Sequence, residues 1–266
     1  MKGRLFTTFW HGRELNPISY TSLKSFVDYG HAIQLFTYEN IKNVPKGVIV
    51  RNASDILPAS ELEDFEGRYA NFSDLFRYFF LYKEGGFWVD TDVICIRDEV
   101  PSEPIYMAYE VYDNSSIGCG ILALPKNSDF GKVLANYVYD PGLIPPWDGD
   151  DTEHRIRISK SYHSLRERRL NSGSYTFYGP TLLTNAAKHY HYTRFTRPYA
   201  DVYSIGWGSW RNLFFNSNLT FECMDLINSW AVHCWGSICN GACDEILERG
   251  IGPLSEMIQK NWKESL

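Results

Sequence analysis

Phe72-Ser-Asp-Leu-Phe-Arg-Tyr-Phe-Phe-Leu-Tyr-Lys-Glu-Gly-Gly-Phe-Trp-Val-Asp-Thr-Asp-Val-Ile-Cys-Ile96 is the stretch that decides the fold. Leu75, Tyr78, Phe79 and Tyr82 recur at helical spacing, and Ser73 is placed to cap the start of that helix. Gly85-Gly86 ends it, because the left-handed conformation that closes a helix suits glycine. Phe87, Trp88 and Val89 then read as a short apolar strand delivering Asp90 and Asp92, with Val93 to Ile96 continuing as buried β structure. Two carboxylates at i, i+2 in so apolar a run are costly unless paired, and a divalent cation is their natural partner.

Working outward, Leu5 to Trp10 reads as a first strand ending in Trp10-His11-Gly12. Asn16-Pro17 opens a helix running to about Tyr29, with Asn as cap and Pro in the first turn. Ala32 to Tyr38 and Val48 to Arg51 are further strands. Strands alternating with helices imply an α/β domain whose mainly parallel central sheet is flanked by helices. Ligands of such sheets sit at the carboxyl ends of the strands, so Trp10 and Asp90-Thr91-Asp92 should share one crevice. Later come strands at Ile105 to Glu110 and Gly118 to Leu124, a helix from Ser128 to about Tyr139, a helix opened by Gly179-Pro180, a strand within Ser229 to Trp235 and a polar C-terminal helix.

The 266 residues, 44% hydrophobic, suffice for one large core, and a single domain spanning 1–266 is expected. A net charge of −6 argues against nucleic-acid binding. The six cysteines suggest no disulfide framework, and Cys239 and Cys243 lack zinc-knuckle spacing, so the reading is of reduced thiols in an intracellular chain. Neither a signal peptide nor a spanning helix is evident, which leaves the sequons at Asn52, Asn71, Asn114 and Asn218 without expected function. The region 140–173 departs from the α/β pattern: it is rich in proline and glycine, then basic through Arg155, Arg157, Lys160, Arg166, Arg168 and Arg169. It reads as a solvated helix between loops, or as a lid or acceptor-binding insertion whose 155–169 segment touches an anionic lipid or glycan.

The chemistry starts from Asp90 and Asp92. With a divalent ion they make a hard oxygen site of the kind Mg²⁺ or Mn²⁺ occupies beside substrate phosphates. His233 closes an apolar strand and could add a nitrogen ligand, which favours Mn²⁺, although a histidine there also serves as a hydrogen-bonded core residue. Trp10 could stack on a planar base or simply pack in the core.

Taken together, Ser73-Asp-Leu-Phe-Arg77, Leu81-Tyr82 and Gly85-Gly86-Phe-Trp-Val-Asp90-Thr-Asp92-Val93 resemble the signature of the DXD-containing glycosyltransferases of family 32. That family includes α-1,4-galactosyl- and N-acetylglucosaminyltransferases and α-1,6-mannosyltransferases, with the glucosylating domains of clostridial toxins as distant relatives. Phe9-Trp10-His11-Gly12, Gly179-Pro180-Thr-Leu-Leu-Thr184, Tyr203 to Trp210 and Ala231-Val-His233-Cys-Trp235 are similar to further segments of the family, in its order.

The resemblance implies a GT-A fold, a nucleotide-sugar donor and retention of anomeric configuration. It makes Asp90 and Asp92 the DXD pair and His233 the third metal ligand, and places the nucleobase on Trp10. Asp74 and Arg77 would meet the donor's sugar or ribose hydroxyls, with Gly179 and Trp235 also on the donor side. Without the resemblance, Asp74 and Arg77 read as a helical ion pair worth ~0.5 kcal/mol. A metal on the diphosphate would stabilise the departing negative charge, with Asp90, Asp92 and Arg77 as the catalytic set. Front-face transfer is expected over a covalent intermediate, since neither Glu110 nor Asp113 stands out as a nucleophile. A UDP-sugar is favoured over GDP-mannose, with a glycan or lipid-linked acceptor and a cytoplasmic location, peripheral at the inner membrane face. The alternatives are a toxin-like transferase acting on a protein, a DxD phosphatase and a non-catalytic sugar-binding domain.

Overall fold

The computed structural model describes residues 3–65, 67–148, 162–171, 176–220 and 228–265. Its centre is a seven-stranded sheet built from β1 (Leu5–Phe9), β2 (Ala32–Thr37), β3 (Ile49–Asn52), β4 (Gly86–Val89), β6 (Tyr106–Tyr109), β7 (Ile117–Leu124) and β8 (Thr196–Arg197), in the order β3-β2-β1-β4-β7-β6-β8. Pairing is parallel from β3 to β4 and between β6 and β8, and only β7 is reversed. The mainly parallel sheet anticipated from the alternation of elements is thus present.

Alternation along the strands sorts two cores. Phe6, Ile33, Leu35, Phe87 and Val89 pack on one face, which α1 (Pro17–Asp28) covers, while Phe36, Trp88, Leu122 and Leu124 lie with Phe9 under the helix Tyr69–Lys83 on the other. α1 starts as expected: Asn16 Oδ1 accepts the Ser19 N–H at 2.8 Å and Pro17 occupies the first turn. A short helix, α2 (Ser60–Glu63), precedes α3 (Tyr69–Lys83).

Two expectations need correction. α3 begins at Tyr69 and not after Ser73. Phe72 is fully buried against Phe9 and Phe65, at ring-centroid distances of 5.3 and 5.5 Å, and the burial of so large a ring, worth about 2–3 kcal/mol, outweighs the ~1 kcal/mol a serine cap provides. Second, β5 (Val93–Cys95) is buried strand but does not extend β4; it forms a separate two-stranded ribbon with β9 (Ala231–His233). The glycine stop holds: Gly85 N–H donates to Leu81 O at 3.0 Å, Gly85 has φ +68°, and a Cβ there would lie 2.4 Å from the Lys126 backbone.

Among the described residues the remaining α-helices are α4 (Asp129–Tyr139), capped by Ser128 as expected, α5 (Leu165–Asn171), α6 (Leu182–His189), α7 (Asn212–Phe215), α8 (Gly236–Cys239), α9 (Cys243–Arg249) and α10 (Pro253–Ser265). Within the 140–173 region, 149–161 and 172–173 lie outside the described residues, and with them Arg155, Arg157 and Lys160 of the basic segment. The described part divides: Arg166 is exposed, Arg168 half-buried and Arg169 buried. Arg169 is buried, pairs with Glu61 and with Asp64 at 3.0 Å, and lies 4.7 Å over the Tyr139 ring; Arg168 reaches Asp140 at 3.5 Å. These two arginines clasp α5 to the body. No helix among the described residues is long and apolar enough to cross a membrane.

Candidate active site

β1 and β4 are parallel neighbours, so the residues that follow them, Trp10 and Asp90, emerge on the same edge of the sheet. They open onto a cavity of about 850 Å³ whose walls also carry Asp74, Arg77, Asp92 and His233.

Asp90 is fixed from three sides. Its N–H donates to Gly120 O at 2.8 Å, and its Oδ1 accepts the Trp88 indole N–H at 2.7 Å and Arg77 Nη2 at 2.7 Å. The other arm of Arg77, Nη1, donates to Asp74 Oδ1 at 2.6 Å. The Asp74–Arg77 pair is therefore no surface ornament: both residues are buried, and Arg77 bridges two carboxylates. Burial pushes the Asp74 carboxyl up to about 6, against the opposing pull of Arg77. Burial by itself would lower Arg77, but Asp90 and Asp74 hold its guanidinium charged.

Asp92 and His233 are brought together by the ribbon. Val93 pairs directly with His233, and the Cys234 N–H donates to Asp92 O at 2.8 Å. Asp92 Oδ2 accepts the Gly236 N–H and stands 3.5 Å from His233 Nε2. One ligand atom from each of Asp90, Asp92 and His233 can be chosen so that all lie within 4.8 Å of one another, the one such group among the described residues.

The donor set of two carboxylates and an imidazole suits Mn²⁺ or Mg²⁺. Asp90 Oδ2 and Asp92 Oδ1 remain free of the hydrogen bonds just described. Space is kept by glycine: a Cβ on Gly120 would come within 2.9 Å of the His233 ring and 3.3 Å of Asp90 Oδ2, and one on Gly236 within 2.9 Å of Asp92 Oδ2. The imidazole needs one adjustment. The Trp235 N–H points at His233 Nδ1 from 3.2 Å, and Nε2 faces Asp92. A cation on Nε2 would need a proton on Nδ1, and the Trp235 N–H would then have to turn away.

The other expected site residues divide. Trp10 lines the cavity, and its buried indole N–H has no hydrogen-bond partner among the described residues, so it is available to a ligand by its face or its edge. Trp235 also reaches the wall, but its indole N–H is engaged by Ile205 O at 2.7 Å and its ring packs 4.5 Å from the His233 ring, so it orients the imidazole. Gly179 stands behind the wall in a tight turn, where a Cβ would meet Cys119 Sγ at 2.9 Å and Asp74 Oδ2 at 3.3 Å; Thr176 and Pro180 are the residues of that segment on the cavity itself. Thr184, from the same motif, accepts the Ile117 N–H at 2.8 Å and so anchors the start of β7.

Two wall residues, Cys119 and Gly120, have no functional reading in the sequence, and Tyr203 and the exposed Trp207 stand there only as part of the Tyr203 to Trp210 stretch, without a role of their own. The Gly118-x-Gly120 spacing inside a strand was the available signal, because strand glycines mark close approach. Glu110 and Asp113, inseparable in sequence, are separated in space. Glu110 lines the cavity, its Oε1 accepting the Ser116 hydroxyl at 2.6 Å, and burial raises its carboxyl while Ser116 and His233 oppose that rise. Asp113 is exposed and bonds only to the Ser115 N–H among the contacts described.

Against known proteins, residues 36–112 match the family described as glycosyltransferase sugar-binding region containing DXD motif, a segment that holds Asp74, Arg77, Asp90, Asp92 and Glu110. No curated protein matches the chain. Among solved structures, the PaToxG glycosyltransferase is 13% identical over 72% of this chain and 70% of its own, with a TM-score of 0.47. The ligand-free glycosyltransferase domain of the YGT toxin is 12% identical over 74% of this chain and 79% of its own, with a TM-score of 0.46. The segment matching the DXD region carries both aspartates of the site, and the chain is glycosyltransferase-like in that region.

Proposed function

We propose that this chain is a metal-dependent, retaining glycosyltransferase of GT-A type that moves a sugar from a nucleotide-sugar, UDP-linked, to a glycan or lipid-linked acceptor. The observation that carries the reading is the convergence of Asp90, Asp92 and His233 at one end of a cavity that also receives Trp10 and the Asp74–Arg77 pair. The match of residues 36–112 to a DXD sugar-binding region supports it.

In this reading Asp90 and Asp92 hold the cation with His233, and the ion, when bound, neutralises the charge that develops on the leaving diphosphate. Arg77 fixes Asp90 and keeps a positive charge at the buried end of the cavity. Trp10 takes the nucleobase. The acceptor hydroxyl attacks from the face the diphosphate leaves.

The test is hydrolysis and transfer measured over a panel of UDP- and GDP-sugars with and without Mn²⁺. Metal-dependent consumption of a nucleotide-sugar is the expected result. Turnover of a phosphomonoester with no nucleotide-sugar consumed would overturn the reading.

A further inference from the structure

One part of the cavity wall has no place in the chemistry above. Tyr203 is 1% exposed, lines the cavity, and its hydroxyl has no hydrogen-bond partner among the described residues. An unpaired buried hydroxyl is costly, and natural interiors rarely keep one without a use. Its position is enforced: a Cβ on Gly118 would lie 2.3 Å from that oxygen, so only glycine at 118 admits it. Gly118, over which the hydroxyl sits, pairs with Ala108, two residues before Glu110 and on the same face of β6, so the Glu110 side chain and the hydroxyl open onto the same part of the cavity.

Glu110 complements it. Its N–H donates to Ser116 O at 3.0 Å and its Oε1 accepts the Ser116 hydroxyl at 2.6 Å, so the side chain is held in one orientation. Glu110 Oε2 has no hydrogen bond of its own among those described. Carboxylate and phenol do not bond to each other directly. A group that both accepts from the phenol and donates to the carboxylate would satisfy the two at once, and a hydroxyl does both. Trp207, 61% exposed on the same wall, adds an aromatic face suited to the C–H side of a pyranose.

We propose that Glu110 and Tyr203, with Ser116 as the positioning residue, form a subsite that binds a hydroxyl of a pyranose in the cavity. This rests on the glycosyltransferase reading. The pyranose is either the transferred sugar or the acceptor sugar, two sources of one chemistry that experiment can separate.

The experiment compares the wild type with Glu110→Gln, Tyr203→Phe and, as an exposed control, Asp113→Asn. Calorimetry in Mn²⁺ measures affinity for UDP and for a panel of UDP-hexoses, and turnover is followed as hydrolysis and as transfer to a panel of free monosaccharides. If the subsite holds the transferred sugar, UDP affinity stays within about twofold in every variant. The extra affinity of the UDP-hexose over UDP then falls by about 10- to 100-fold in Glu110→Gln and by less in Tyr203→Phe, the charged hydrogen bond being the stronger. If it holds the acceptor sugar, that affinity difference and hydrolysis persist while transfer falls by a similar factor. Tyr203→Phe should melt no lower than the wild type, since it removes an unpaired polar atom, which separates a ligand-binding role from a structural one. Affinity difference and transfer both within twofold of wild type in both variants would overturn the proposal while leaving the transferase reading standing. A wild type that binds neither UDP nor any UDP-hexose would overturn both.

Discussion

Val93 and His233 face each other directly across a two-stranded ribbon, and this single register places the imidazole beside Asp92. A one-residue slip would turn His233 to the opposite side of the strand and disperse the cluster.

The cluster predicts unequal losses on mutation. On the proposed reading, Asp92→Ala should reduce metal-dependent turnover by about 10³-fold or more, because it would remove a charged ligand whose second oxygen is already oriented by Gly236. His233→Ala should cost about 10- to 100-fold, since it would remove a neutral ligand and leave both carboxylates in place. Initial rates over a Mn²⁺ titration check both; equal losses would remove the distinction between carboxylate and imidazole.

Gly120→Ala tests the space kept for the ion. The added methyl would press on the His233 ring from 2.9 Å, and Mn²⁺ affinity should fall while the melting temperature changes little. Calorimetric Mn²⁺ titration against a thermal melt measures the two effects separately.

Arg77→Ala should destabilise the fold by about 3–5 kcal/mol, the cost of leaving Asp74 and Asp90 without their buried counter-charge. Arg77→Lys should recover only part of this, because one ammonium cannot reproduce a fork that donates to two carboxylates. Urea unfolding of the three proteins decides it.

Asp74 gives stability a pH dependence. Its folded value, about 6, lies above the ordinary 3.8, so the native state binds the extra proton and the associated stability is complete below about 3.8 and lost as pH rises through about 6. Relative to Asp74→Asn, the wild type should therefore become less stable between pH 4 and 7. Denaturant midpoints at each pH follow the difference; a gap that is constant or widens in the wild type's favour contradicts the assignment.

Trp10→Ala should raise the donor KM several-fold, by about 5- to 10-fold, and change kcat less, because contact with a base is equal in ground and transition states. Steady-state kinetics with the nucleotide-sugar that the panel identifies provides the check.

The helix, stop and strand around Asp90 were readable because apolar period and glycine position are local signals, and the shared edge of Trp10 and Asp90 followed from the parallel order of their strands. The start of α3 was not, because the burial of Phe72 depends on Phe9 and Phe65 from elsewhere in the chain. Nor could the sequence show that Asp90 takes the Trp88 indole as well as Arg77, or that Gly118 and Gly120 clear room for Tyr203 and His233. A glycine that makes space carries no mark of what will fill it. Glu110 stood beside Asp113 as an equal candidate until the loop that Ser116 closes put one in the cavity and the other in solvent.

The ribbon also sets a timetable for biosynthesis. At about 5–20 residues per second, the roughly 140 residues between Asp92 and His233 occupy the ribosome for about 7–30 s. Through that interval the emerging chain holds two clustered carboxylates with neither the imidazole nor the Gly236 amide to meet them. The cluster therefore closes only once the second strand of the ribbon and Gly236 have emerged, late in the chain.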